Sequence, residues 1–264
     1  MSIRSSLGSL RRQVLCTFFR RTVSLGDIGP IVTFTFDDFP RDAYWVGGKI
    51  LDRSGARGTY YVAGKLRNVS NKLGELFVDS DIHSLLNDGH EIGTQTYNHS
   101  SCRALSLSAF REDVRRGIKE MEDLTGQSPT NFAYPYGHIT LRSKRSLGPT
   151  LMSSRSVIPG LNGPIVDLNL LLANPLYGGI GNSANVESLV EQNVKQKGWL
   201  IFYTHDVRPN HSQFGCTPEL LESAVLAAAS SGARIMTVQS ALAALEVSAP
   251  AESGLVSATH SVAP

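Results

Sequence analysis

The chain has 264 residues, 41% hydrophobic and 18% charged, enough for one large α/β domain or two small ones. A formal net charge of +2 excludes a global field of the kind that gathers nucleic acid or another acidic polymer. Cys16, Cys102 and Cys216 lie far apart with no CxxC pair, which argues against a disulfide framework and for free thiols in a reducing cytoplasm.

Positive charge is concentrated at the start. Arg4, Arg11, Arg12, Arg20 and Arg21 all precede the first acidic residue, Asp27. The apolar run from Val14 to Phe19 is too short for a secretory signal core, Arg20-Arg21 closes it, and nothing approaches a membrane-spanning length. Residues 1–29 are therefore expected to form a basic segment of a cytoplasmic protein. Such a segment can rest weakly on a membrane surface, but the ordinary outcome is a solvated helix packed beside the domain.

From residue 30 the pattern alternates. Ile31 to Phe36 reads as a buried strand, Asp42 to Leu51 as a helix, Gly58 to Ala63 as a strand, and Asp81 to Asn87 as a short helix ended by Asp88-Gly89. His90 to Thr94 is the third strand. Ser108 is expected to cap a longer helix, with Phe110, Val114, Ile118, Met121 and Leu124 on one face and Gly126 as its stop. Asn131 to Tyr134 is the fourth strand, Thr140 to Leu147 a basic helix, and Thr150 to Ser153 the fifth strand; Pro159 to Gly181 has no clear period. Val186 to Lys197 is helical, and Trp199 to Thr204 is the most apolar strand. Thr217-Pro218 opens a helix with a cap and a first-turn proline, Arg234 to Val238 is a last strand, and one more helix follows. Repeated alternation around buried strands means a parallel sheet, either a β/α barrel or a doubly wound sheet. Residues 30–247 make the domain. Residues 248–264, rich in Ser, Ala and Pro, are expected to be a disordered tail.

The polar residues just past each strand carry the chemistry. They are Asp37-Asp38, then Gln95 and His99, then Tyr134-Pro135-Tyr136-Gly137, then Arg155, then His205-Asp206. In a parallel barrel the carboxyl ends of the strands converge on one face, so these residues are expected to meet. Successive side chains on a strand diverge, so adjacent carboxylates can serve separately as metal ligand and base. His205, leaving a very apolar strand, suits a general acid near neutral pH. His83, His90, His138, His211 and His260 are left as structural or surface residues.

The runs TFTFDD, HEIGTQTYNH, FAYPYG and LIFYTHD, in this order and spacing, resemble the polysaccharide deacetylases, the family 4 carbohydrate esterases that include the nodulation chitooligosaccharide deacetylases. The resemblance covers roughly Pro30 to Val238. It implies an irregular (β/α) barrel of about seven parallel strands, an acetylated oligo- or polysaccharide as substrate, and one divalent metal ion, zinc first, with manganese or magnesium as alternatives. It implies Asp37 as general base, and Asp38, Gln95 and His99 as metal ligands. It also implies Tyr134, Pro135, Tyr136 and Gly137 as the groove wall, with Asp206 beside the substrate and His205 as general acid.

Two positions depart from the family pattern. Ala133 stands where an arginine often orients the base; Arg155, past the next strand, can supply a guanidinium from elsewhere or be a surface residue. Gln95 stands where the family has a histidine ligand, and an amide oxygen is a weaker zinc ligand than imidazole. The expected activity is metal-dependent removal of N- or O-acetyl groups from a glycan, such as an N-acetylglucosamine oligosaccharide. The alternative is a catalytically weak carbohydrate-binding relative with a degraded metal site. Retention of Asp37, Asp38, His99 and His205 favours the enzyme. A two-carboxylate glycoside hydrolase would need a second acid at a strand end, which is lacking.

Overall fold

A computed structural model describes residues 3–247; the tail expected to be disordered, 248–264, lies outside them. The elements in chain order are α1 (Ile3–Thr17), β1 (Thr22–Ser24), β2 (Ile31–Asp37), a π-helical turn (Ala43–Gly48) running into α2 (Lys49–Arg53), β3 (Thr59–Val62), β4 (Ser70–Asn71), β5 (Gly74–Glu75), α3 (Asp79–Asn87) and β6 (Glu91–Thr94). There follow α4 (Leu107–Thr125), β7 (Asn131–Ala133), α5 (Leu141–Leu147), β8 (Ser153–Arg155), β9 (Ile165–Asp167), β10 (Asn174–Pro175), α6 (Ser183–Gln196), β11 (Trp199–Thr204), α7 (Pro218–Ser230), β12 (Arg234–Ile235) and α8 (Val238–Ala244).

Seven strands lie in one row, β10-β11-β2-β3-β6-β7-β8, and every pairing in it is parallel. β12 pairs with the start of β2. The row curls into a (β/α) barrel, and the stretch without clear sequence periodicity closes it. Residues 168–173 run beside β8 through Ser154 N–H to Leu168 O (2.8 Å), Leu171 N–H to Ser154 O (2.9 Å) and Ser156 N–H to Leu171 O (2.8 Å). They lead directly into β10, so the two ends of the row meet through one irregular chain segment.

The central strands are buried on both faces, which is why β2 and β11 read as continuous apolar runs. One core cluster joins Phe34, Phe36, Tyr60 and Phe202 to the apolar faces of α3 and α7. A second surrounds Trp199 and Ile201 beneath α8, and a third lies between α4, α5 and β7.

Boundaries shift where local hydrogen bonding outweighs apolar pattern. α4 starts one turn-position early because Ser106, not Ser108, is the cap, accepting the Ala109 N–H at 3.2 Å. The strand expected at Thr150–Ser153 lies at Ser153–Arg155, since Leu151 is still held by α5 through Leu147 O. The last strand stops at Ile235, because Thr237 caps α8 through the Ser240 N–H.

The first residues pack on the barrel wall. Leu15 is buried, and β1 pairs antiparallel with β9. The fully buried Lys144 donates to Leu15 O (2.7 Å) and pairs with Asp167 (2.6 Å). Arg21 donates to Gly148 O (2.6 Å) and Leu151 O (2.7 Å). No described helix is long and apolar enough to cross a membrane.

Candidate metal and catalytic site

At the carboxyl ends of β2, β6 and β7 the backbone is strained. Asp38 (φ 61°), Phe39 (φ 50°), Thr96 (φ 64°), His99 (φ 55°) and Tyr136 (φ 58°) are all non-glycine residues in the left-handed region. Each costs on the order of 1 kcal/mol or more, and such residues gather at functional sites. Packing holds them: the Phe39 ring stacks on Phe77 (5.4 Å) and leans on Tyr60 (5.1 Å). The turn after β2 sends Asp37 and Asp38 to different partners.

Asp37 is buried and accepts a short hydrogen bond from Arg155 Nη2. Arg155 is 1% exposed and stands between two rings, Tyr61 (4.9 Å) and Tyr203 (5.1 Å), with Nη1 donating to Ser156 O (3.1 Å). Burial alone would lower the guanidinium pKa, but Asp37, with Tyr61 and Tyr203 beside it, outweighs burial and raises it. Arg155 thus occupies the place left open by Ala133, reaching Asp37 from β8.

Asp38, Gln95 and His99 converge. His99 Nε2 lies 2.9 Å from Gln95 Oε1 and 3.0 Å from Asp38 Oδ1. The amide oxygen only accepts, so Nε2 carries the proton and donates to it. Asp38 Oδ1 is a buried carboxylate oxygen that accepts no hydrogen bond. Burial pushes the Asp38 carboxyl up, yet His99, His205 and Arg155 together hold it below the usual carboxylate range.

This is the arrangement a cation would complete. Among the described residues no three His, Cys, Asp or Glu side chains form a metal cluster, and Gln95 Oε1 is the further oxygen that lies against His99. A carboxylate, an imidazole and an amide oxygen meeting at about one hydrogen-bond length, with a donor-less carboxylate oxygen among them, fit a divalent ion. The neutral amide in place of a second imidazole makes the set a better match for a hard ion than for zinc.

His205 follows β11. Its Nδ1 lies 3.2 Å from Phe214 O, so the Nδ1 atom is protonated and Nε2 remains for chemistry. Its ring leans on Phe214 (5.5 Å) and Tyr177 (6.3 Å). Tyr136 is 64% exposed, with its ring against His99 (4.7 Å). Gly137 (φ 62°) admits no side chain, since a Cβ there would meet Val157 Cγ2 at 2.1 Å.

Other expected groove residues lie elsewhere. Tyr134 and Pro135 are buried, and the Tyr134 ring belongs to the core beside Phe132 (5.2 Å), so of the aromatic turn Tyr136 alone offers an exposed ring. Asp206 corrects an expectation: it is fully buried, accepting from Arg208 Nε (3.0 Å), Ser212 N–H (2.6 Å) and Ser212 Oγ–H (2.6 Å). It anchors the loop that carries Phe214 and does not line the groove. Sequence reading missed Tyr61 and Tyr203, whose signal was an aromatic on each of two apolar strands. It also missed Asp42, which accepts Val207 N–H (3.1 Å) and which burial raises to about 6.

The chain folds as a parallel (β/α) barrel with a carboxylate–imidazole cluster at its carboxyl mouth, the face where such barrels carry their active sites. Residues 27–149 match the family model of the polysaccharide deacetylases. The barrel is similar to a family 4 acetyl xylan esterase from Clostridium thermocellum in complex with a cobalt ion, at 21% identity and TM-score 0.59, covering 83% of this chain and 94% of that one. It is similar to the chitin deacetylase of Colletotrichum lindemuthianum at 18% identity and TM-score 0.58, covering 81% and 88%. A peptidoglycan deacetylase from Bacillus subtilis matches at 16% identity and TM-score 0.51, covering 85% and 94%. No curated protein sequence matches the chain. Arg155 and His205 lie beyond the matched segment, so their place in the site rests on the geometry above.

Proposed function

We propose that the protein is a metal-dependent deacetylase that removes N- or O-acetyl groups from a glycan. The observation that carries this reading is the meeting of Asp38, Gln95 and His99 beside the Arg155–Asp37 pair. A divalent ion held by Asp38, Gln95 and His99 would lower the pKa of water toward about 7 and polarise the acetyl carbonyl. Asp37, fixed in orientation by Arg155, takes the proton as water attacks. The Tyr136 backbone N–H is the donor for the developing oxyanion, and its left-handed turn supports that role. His205 then delivers a proton from Nε2 to the departing nitrogen or oxygen; the Phe214 carbonyl holds Nδ1–H, which fixes the ring for that transfer. The ion is zinc, manganese or magnesium, with the harder ions favoured by Gln95. The free thiols of Cys16, Cys102 and Cys216 support a reducing compartment.

The test is acetate release from a panel of N- and O-acetylated oligosaccharides, with and without added divalent ion. Release from at least one substrate, lost on chelation and restored by metal, supports the reading. Binding without release under every metal condition would favour a carbohydrate-binding relative.

A further inference from the structure

The basic start of the chain reaches the mouth of the site. Arg11 of α1, ahead of the segment that matches the family, donates through Nη2 to Ile139 O at 2.6 Å. That ties the helix to the turn bearing Tyr136 and His138. The loop after His99 reaches the same turn. Ser101 Oγ lies 2.8 Å from His138 Nδ1, Cys102 Sγ donates to His138 O (2.9 Å), and Arg103 N–H donates to Ser101 Oγ (3.2 Å). Arg11 reaches this turn from α1 through its guanidinium, and Arg103 from the loop after His99 through its backbone N–H.

Both guanidinium groups are exposed, and among the described residues neither pairs with a carboxylate. They also feel each other: burial first, then the Arg11 charge, lowers the Arg103 pKa. Burial, then Arg103 and Arg11, lower that of His138. Like charges held together without a counter-charge cost free energy that an anion would return. From His138 a run of rings leads to the candidate metal ligand, through Tyr136 (5.7 Å) and on to His99 (4.7 Å).

We propose that Arg11, Arg103 and His138 form an anion subsite at the mouth of the barrel, which selects a glycan whose sugar beside the acetylated unit carries a carboxylate or phosphate. Two guanidinium forks suit such oxyanions, which they bind with directed pairs of N–H bonds. The exposed Tyr136 ring lies between this subsite and His99, so one sugar can rest there while the next reaches the candidate catalytic groups. The inference rests on the groove being a glycan groove, as the deacetylase reading has it.

The experiment is calorimetric binding, without added metal, of three probes: the N-acetylglucosamine tetramer, its 6-O-carboxymethyl form and its 6-O-phosphoryl form. The acidic tetramers should bind about tenfold more tightly than the neutral one, a preference that shrinks as salt rises from about 0.02 M to 0.2 M. Whichever acidic tetramer binds more tightly identifies the natural substituent. Arg103→Gln, whose side chain makes no hydrogen bond among the described residues, should remove most of the preference and leave neutral binding unchanged. Arg11→Lys, which keeps the charge, should retain it, and Arg11→Gln should not. Equal binding of acidic and neutral probes, no binding of any probe, or a preference that survives both glutamine variants would overturn the subsite. Acetate release from the neutral tetramer with metal added, measured on the same protein, reads the deacetylase assignment separately.

Discussion

Arg155 and Asp37 form a buried ion pair although three strands, β3, β6 and β7, separate theirs in the sheet order. Contact over that distance is possible only because the sheet curls and the guanidinium crosses the barrel interior. The Tyr61 and Tyr203 rings on either side fix its plane. Arg155→Ala would leave the Asp37 carboxylate buried without its partner. It should destabilise the protein by about 3–5 kcal/mol, read by denaturant unfolding, and lower kcat by about 100-fold or more. Arg155→Lys keeps a charge but loses the flat contact with both rings, and should fall between the two. Wild-type activity in Arg155→Ala would show that Asp37 needs no such orientation.

Asp37→Asn keeps the shape of the base and removes its capacity to accept a proton. Turnover should fall by about 1,000-fold while divalent-metal affinity stays close to wild type, and the melting temperature should fall as well, because the buried Arg155 guanidinium loses its counter-charge. His205→Ala should lower kcat far more than it changes KM, since its proton is delivered in the transition state. A variant altered in KM alone would make His205 a binding residue.

Asp42 gives a pH prediction. Burial raises its carboxyl to about 6, above the ordinary value of 3.8. The native state therefore binds a proton that the unfolded chain has already released between about pH 4 and 6. Stability from this group is fully present below pH 4 and is lost as pH rises through 6. Asp42→Asn keeps an oxygen for the Val207 N–H and carries no charge. The variant should melt higher than wild type at pH 7.5, and the difference should shrink toward zero at pH 4. A difference independent of pH would mean that the carboxyl titrates normally in the folded protein.

The parts of the site that follow strands directly were legible in sequence. Asp37, Asp38 and His205 each end an apolar run and His99 lies in the polar cluster after β6, and a parallel sheet brings such ends together whatever their sequence spacing. Arg155 was visible as a residue past a strand, but its direction was not, because the strand register is set by the α5 turn that holds Leu151 rather than by the apolar residues at 150–152. Residues 168–173 gave no period because they pair irregularly along β8, a nonlocal partner. Asp206 was misplaced for a related reason. The carboxylate faces its own loop, and the bonds from Ser212 and Arg208 depend on how residues 207–216 fold back.

With the proposed ligand set, Gln95 would set which metal the site prefers. Its Oε1 now accepts the His99 Nε2 proton at 2.9 Å, and Asp38 Oδ1 lies buried beside the same atom without a donor. A metal on Nε2 would need that proton on Nδ1 instead, so His99 must change tautomer to serve as a ligand. A neutral oxygen in place of imidazole weakens zinc more than manganese or magnesium, because zinc gains most from nitrogen ligands. Wild type should therefore lose its metal to mild chelation, and its preference for zinc over manganese should be small. Gln95→His adds an imidazole in a buried position close to Asp38 and His99. It should tighten zinc binding by about 10-fold or more, measured by competition with a chromophoric chelator, and leave manganese binding nearly unchanged. Activity at limiting zinc should rise in parallel if Asp37 and His205 are already in place. If wild type retains stoichiometric zinc through chelator washing, then Gln95 costs the site nothing, and a ligand other than the amide completes it.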